Sequence, residues 1–150
     1  MRIEIKSKKE SELFGEKLGK LCFEGMCITL NGDLGAGKTT LTKSIGKALG
    51  VKKTISSPTF TILKIYQGNL PLYHIDAYRL EGLDQDLGFE EMLDGDGVAI
   101  VEWGEFIEDI LPKERLDITI YAGNEEERTF EINAFGKQYE EILEKLIWKH

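Results

Sequence analysis

The apolar positions of the chain change period several times, and each change marks an element. Residues 2–6 alternate and predict a short strand. Ser7 stands three residues before Glu10, a capping-box spacing, and Leu13, Phe14, Leu18, Leu21 and Cys22 recur at helical intervals. Together they predict an amphipathic helix over 7–22. Residues 26–30 form a short apolar run ending at Asn31, the pattern of a buried strand. Leu41, Ile45, Ala48 and Leu49 return to helical spacing, and Gly50 can stop that helix. Pro58 favours an extended residue before it, so 56–60 reads as a loop or the start of a strand. Residues 61–67 and 70–76 predict two strands joined by Gly68-Asn69 as a hairpin. Residues 77–82 leave the sheet, and 84–93 hold a short helix anchored by Leu87, Phe89, Met92 and Leu93.

In the last third, 97–101 is continuously apolar, the mark of a central strand buried on both faces. A short helix over 106–111 is stopped by Pro112. Residues 116–121 and 128–134 alternate cleanly and read as a second hairpin through Gly123-Asn124. Tyr139, Ile142, Leu143, Leu146 and Ile147 predict a closing helix, and Trp148 beyond them either packs on the core or reaches outward. The sum is an α/β fold: a central, mostly parallel sheet, antiparallel hairpins at its flanks, and flanking helices. No linker, repeat or low-complexity segment interrupts it, and 150 residues suit one domain spanning 1–150.

Composition adds three constraints. A net charge of -8 disfavours direct grip on RNA or DNA, because the Lys6, Lys8, Lys9 and Lys52, Lys53 clusters are short. Cys22 and Cys27 match no metal spacing and read as buried thiols of a reducing compartment, with a disulfide as the lesser alternative. No signal-like segment opens the sequence and no apolar run approaches the roughly 18 residues of a membrane span, so a cytoplasmic protein is expected.

The chemistry starts at Gly32-Asp33-Leu34-Gly35-Ala36-Gly37-Lys38-Thr39, which fits the phosphate-loop pattern of Gly, four residues, Gly, Lys, Ser/Thr between a strand and a helix. Its glycines let the backbone turn N–H groups toward one point at a helix N-terminus, a concave anion site. Asp33, Leu34, Gly35, Ala36, Gly37, Lys38, Thr39 and Thr40 are therefore the expected nucleotide-binding residues, with a P-loop NTPase-like fold around them. Lys38 can reach the β- and γ-phosphates, and the Thr39 hydroxyl can ligate Mg²⁺. Such a site needs a strand-end carboxylate. Leu-Tyr-His-Ile-Asp at 72–76 and Val-Ala-Ile-Val-Glu at 98–102 each offer one. Glu102, after the more apolar run, is the choice for the metal, although a Glu there can also act as base; Asp76 would orient water or complete the outer shell. His74 shares the strand side of Asp76 and reads more readily as packing than as a proton shuttle. Arg79 can face a γ-phosphate or pair with an acid, and Trp103 can be core or an aromatic anchor at the site's edge.

These residues fall in four blocks: Gly-Asp-Leu-Gly-Ala-Gly-Lys-Thr-Thr at 32–40, Ser-Pro-Thr-Phe at 57–60, His-Ile-Asp-Ala-Tyr-Arg at 74–79 and Val-Glu-Trp at 101–103. In that order they resemble the TsaE (YjeE) family of bacterial tRNA threonylcarbamoyladenosine synthesis, over nearly the whole chain. The resemblance implies an ATPase that uses ATP and Mg²⁺ and works with TsaD, which transfers the threonylcarbamoyl group to tRNA, and with TsaB. Hydrolysis would reset that pair, and tRNA would be met only through the complex; neither DNA nor membrane is implied. Lys38, Asp76 and Glu102 are the implied catalytic residues, with Thr39 and Glu102 on the metal. Ser57, Pro58, Thr59 and Phe60 are an implied switch, and His74, Tyr78, Arg79 and Trp103 implied switch or partner positions. Two other readings stand beside it: a small-molecule kinase on the same loop, and a nucleotide-sensing module with negligible turnover. A GTPase is disfavoured, since the chain lacks an Asn/Thr-Lys-x-Asp guanine reader.

Overall fold

The computed structural model describes residues 1–33, 35–55, 63–80, 89–93 and 95–148. Seven strands form one sheet: β1 (Arg2–Ile5), β2 (Cys27–Asn31), β3 (Leu63–Tyr66), β4 (Leu72–Asp76), β5 (Val98–Glu102), β6 (Arg115–Ala122) and β7 (Arg128–Phe135). Their order is β1-β7-β6-β2-β5-β4-β3. The four inner strands β6, β2, β5 and β4 run parallel. The outer pairs β1–β7, β7–β6 and β3–β4 are antiparallel. Four helices, α1 (Lys8–Lys20), α2 (Lys38–Ala48), α3 (Phe89–Leu93) and α4 (Lys137–Trp148), and two 3₁₀ segments, Ala77–Leu80 and Gly104–Ile110, complete the described elements.

The pleat divides the inner strands between two cores. Ile28, Leu30, Leu72, Val98, Ile100, Leu116 and Ile118 face Leu41 and Ile45 of α2 and Leu18 of α1. On the other face Cys27, Ile75, Ala99 and Val101 pack with Leu93 and Ile107. β5 is buried at every residue, as a continuous apolar run requires of a strand covered on both sides.

α1 holds α2 in place by close approach. A Cβ on Gly15 would lie 2.5 Å from Ser44 Cβ, and one on Gly19 would lie 2.5 Å from Ala48 Cβ. Only glycine lets these two helices meet at that distance. Ser7 caps α1, its hydroxyl accepting from the Glu10 N–H, while Glu10 reaches back to the Lys6 N–H at 2.8 Å.

Several boundaries differ from the periodic reading. Leu13 is 54% exposed, because the stripe of α1 that meets the core runs through Ser11, Phe14, Gly15 and Leu18. The β3–β4 connection is longer than Gly68-Asn69: Tyr66 pairs with Leu72, leaving 67–71 between the strands. The Asn69 N–H instead donates to the Leu49 carbonyl, which pins the connection to the end of α2. Residues 104–110 are 3₁₀ rather than α, broken at Ile107 (φ -130°), and Trp103 before them is left-handed. The second hairpin turns through Gly123 to Glu127, with Glu125 at φ 51°. The expected switch Ser57, Pro58, Thr59 and Phe60, together with Leu34 and Leu87, lies outside the described residues.

Candidate active site

The loop from Gly32 to Gly37 bends where its glycines permit. Gly32, Gly35 and Gly37 have φ of 149°, 80° and 111°, and a Cβ on Gly32 would stand 2.7 Å from the Ile120 carbonyl. The Ala36 N–H donates to the Asp33 carbonyl at 3.0 Å, which closes the turn. Gly37 is the N-cap of α2 and offers no side chain. The first-turn N–H groups of α2 have no acceptor within the helix and carry the positive end of its dipole. Thr42 and Ser44 return their hydroxyls to the Lys38 and Thr40 carbonyls, so they take nothing from that N-terminus. Thr39 and Thr40 are half-buried, and Asp33 and Gly35 are exposed.

Lys38 projects from this N-terminus and is 7% exposed. Its Nζ lies 3.5 Å from Glu102 Oε1 and 5.1 Å from the centre of the Trp103 ring. Glu102 ends β5, opposite Leu30 on β2 and opposite Asp76 on β4. The glycine loop and both strand-end acids thus meet at the C-terminal edge of three adjacent parallel strands.

The two acids sit in different surroundings. Glu102 is 6% exposed, and its Oε2 accepts from His74 Nε2 at 2.6 Å. Burial pushes the Glu102 carboxyl up, but the His74 hydrogen bond and charge and the Lys38 ammonium outweigh it and hold Glu102 below the usual carboxylate range. Asp76 is more open and accepts the Tyr78 N–H at 3.0 Å. Burial, aided by the negative Glu102, raises Asp76 against the Tyr78 hydrogen bond and the charges of Lys38 and His74. The pair is therefore pushed apart, with Asp76 the more readily protonated.

His74 is fully buried, and its Nδ1 has no hydrogen-bond partner among the described residues. Its Nε2 is engaged with one oxygen of Glu102. Trp103, expected as core or edge, is half-buried at the edge, with its backbone at φ 59°. A non-glycine residue in that region costs roughly 1–3 kcal/mol and persists only where its surroundings impose it. Here Tyr78 meets the Trp103 ring edge-on at 5.1 Å and Phe106 stacks on it at 6.1 Å. Tyr78 is 52% exposed, and the Arg79 side chain lies outside the described residues.

One residue near the loop carries no motif. Arg128, at the start of β7, donates from Nε to the Ala36 carbonyl at 2.7 Å. Ninety-two residues separate the two, and only the closure of β7 onto β6, and of β6 onto β2, brings them together.

A divalent cation is testable against these donors. Among the described residues no three His, Cys, Asp or Glu are grouped to hold a metal unaided. Mg²⁺ does not ask for that: it takes one or two carboxylates and completes its shell with phosphate oxygens and water. Glu102, Asp76 and the Thr39 hydroxyl are hard oxygen donors of that type, and they fit.

The comparisons with known proteins agree with this architecture. The sequence model of the family described as threonylcarbamoyl adenosine biosynthesis protein TsaE matches residues 5–130. The tRNA threonylcarbamoyladenosine biosynthesis protein TsaE of Bacillus subtilis is 50% identical over 123 residues, covering 81% of this chain and 78% of that protein. The namesake of Treponema pallidum is 40% identical, covering 80% and 90%, and that of Nostoc is 37% identical, covering 90% and 87%. The crystal structure of Bacillus subtilis YdiB superposes with a TM-score of 0.84 at 38% identity, over 97% of this chain and 93% of that one. With a family model that matches residues 5–130 and relatives similar over most of its length, the chain belongs to the TsaE family of tRNA threonylcarbamoyladenosine biosynthesis proteins.

Proposed function

We propose that the protein is a Mg²⁺-dependent ATPase of tRNA threonylcarbamoyladenosine synthesis, acting with TsaD and TsaB. The observation that carries the reading is the meeting of Lys38 and Glu102 at 3.5 Å beside the glycine turn, at the N-terminus of α2. A cation and an acid in that arrangement suit the two demands of phosphoryl transfer, charge neutralisation and metal retention.

The turn's amides hold the β- and γ-phosphates, and Lys38 leaves Glu102 for the phosphate oxygens. Glu102 and the Thr39 hydroxyl are the residues that would hold Mg²⁺. When bound, Mg²⁺ neutralises the charge that develops on the transferred phosphoryl group. His74 keeps Glu102 Oε2 engaged, so the carboxylate cannot swing away. Asp76 orients the attacking water and accepts its proton, as the more basic of the two acids. Trp103 and Tyr78 line the open side of the site, where a partner protein reaches it. The family name supports the pathway, and the net charge of -8 supports a subunit that leaves tRNA to its partners.

Phosphate release from ATP, measured with and without TsaD and TsaB, tests the reading. The expected result is release that needs Mg²⁺, rises with both partners and is lost in Lys38→Ala. Glu102→Gln is expected to weaken the Mg²⁺ dependence of ATP affinity, and Asp76→Asn to spare affinity while lowering turnover. ATP affinity untouched by Lys38→Ala would end the reading. Transfer of phosphate to a small acceptor, with none released to water, would make the protein a kinase instead.

A further inference from the structure

We propose that Arg128 is a positioning residue of the phosphate loop, one that fixes the peptide plane between Ala36 and Gly37. The inference rests on the phosphate-binding reading above. Arg128 Nε donates to the Ala36 carbonyl at 2.7 Å, while Nη1 donates to the Glu125 and Glu127 carbonyls at 2.8 and 2.7 Å. Three main-chain acceptors thus hold one guanidinium rigidly between the β6–β7 turn and the loop. The peptide unit is planar and trans, so its C=O and N–H point in opposite directions. Holding the Ala36 carbonyl toward Arg128 therefore aims the Gly37 N–H away from it.

That plane needs a brace. Gly37 has φ 111° and no Cβ, so it tolerates rotation of the preceding peptide at little steric cost. A rotated plane would turn the Ala36 carbonyl, a negative dipole end, toward bound phosphate. The Ala36 N–H, held by Asp33 on the other side of the residue, does not prevent this rotation. Arg128 does, through a charge-assisted hydrogen bond, and its fork makes the contact directional in a way an ammonium cannot reproduce.

Calorimetric binding of ATP and of inorganic tripolyphosphate, each with Mg²⁺, tests the assignment in the wild type, Arg128→Ala, Arg128→Lys and Lys38→Ala. Tripolyphosphate has no base or ribose, so it reads the loop alone. Arg128→Ala and Arg128→Lys are each expected to weaken both ligands by the same factor, about tenfold, the lower end for a lost charge-assisted hydrogen bond. Millimolar ethylguanidinium should restore part of the affinity of Arg128→Ala, which a role in folding alone would not permit. An unchanged tripolyphosphate affinity in both Arg128 variants overturns the proposal, whether or not ATP binding falls. So does a wild-type-like Arg128→Lys beside an Arg128→Ala that has lost its fold. If Lys38→Ala also leaves tripolyphosphate affinity unchanged, the phosphate-site reading itself fails. If Lys38→Ala weakens it and the Arg128 variants do not, only the role of Arg128 is lost.

Discussion

Replacing His74 by leucine isolates the contact that anchors Glu102. The bond is 2.6 Å between two side chains that are 0% and 8% exposed, so no solvent screens it. A hydrogen bond to a charged group contributes about 1.5–3 kcal/mol, and removing one partner of a buried pair costs about 3–5 kcal/mol. Lys38 stays 3.5 Å from the other Glu102 oxygen and keeps part of the compensation. The expected loss at pH 7 is therefore about 3 kcal/mol, or about 6–12 °C in midpoint for a chain of this size. The pH dependence has a definite sign. Glu102 is held below its ordinary value of 4.5, so its pairing contributes in full above that pH and disappears as the pH falls through the folded value. The gap between wild type and His74→Leu should be widest at neutral pH and close as the pH is taken down through the depressed folded value of Glu102. Urea unfolding of wild type, His74→Leu, Glu102→Gln and the double variant at neutral pH and below that value gives the coupling directly, expected at about 2–3 kcal/mol at neutral pH. A coupling under about 0.5 kcal/mol, or one equal at both pH values, would refute the reasoning.

Further outcomes follow from packing, exposure and the Lys38–Trp103 contact. Gly19→Ala places a methyl 2.5 Å from Ala48 Cβ and 2.7 Å from the Ile45 carbonyl, and should cost about 1–3 kcal/mol by urea titration. The exposed Leu13→Ala beside it should stay within about 0.5 kcal/mol. In a Trp148→Phe background, Trp103 fluorescence should change as ATP is titrated in, because the ammonium 5.1 Å from its ring is drawn to phosphate; saturation by calorimetry without a spectral change would count against the contact. Burial pushes both the Cys22 and Cys27 thiols up to about 12, so each should resist a disulfide reagent at pH ~8 until urea unfolds the chain.

The parts of this molecule that were legible in its sequence are those whose cause is local. The strand, turn and helix around Gly32 to Thr39 follow from residue types within reach of one another, as does the unbroken apolar β5. The acids Asp76 and Glu102 were legible as strand ends, because a parallel sheet gathers its sites there. What stayed hidden is set by register or by long-range closure. The exposure of Leu13 depends on which stripe of α1 the glycines press onto α2. The length of the β3–β4 connection depends on an Asn69 hydrogen bond to the end of a helix. The bond from His74 to Glu102 needs β4 and β5 to be neighbours. That from Arg128 to Ala36 needs β7, β6 and β2 in their observed order. Neither pair has a spacing that periodicity could detect.

Register also limits how far β5 can shift beneath the candidate site. Glu102 is opposite both Leu30 and Asp76, and side chains alternate faces along a strand. Slipping β5 by one residue would carry Glu102 to the face occupied by Val101 and Ile75, among apolar side chains and away from Lys38. It would also bring Trp103 or Val101 to the loop, where neither can offer an oxygen donor. The apolar residues at 98–101 prevent this by filling both cores at once: Val98 and Ile100 pack toward α2, Ala99 and Val101 toward Ile107 and Leu93. A slip would exchange large and small side chains between two closely packed faces. The burial that makes β5 a central strand is thus the same constraint that keeps its terminal carboxylate beside Lys38 and the glycine loop.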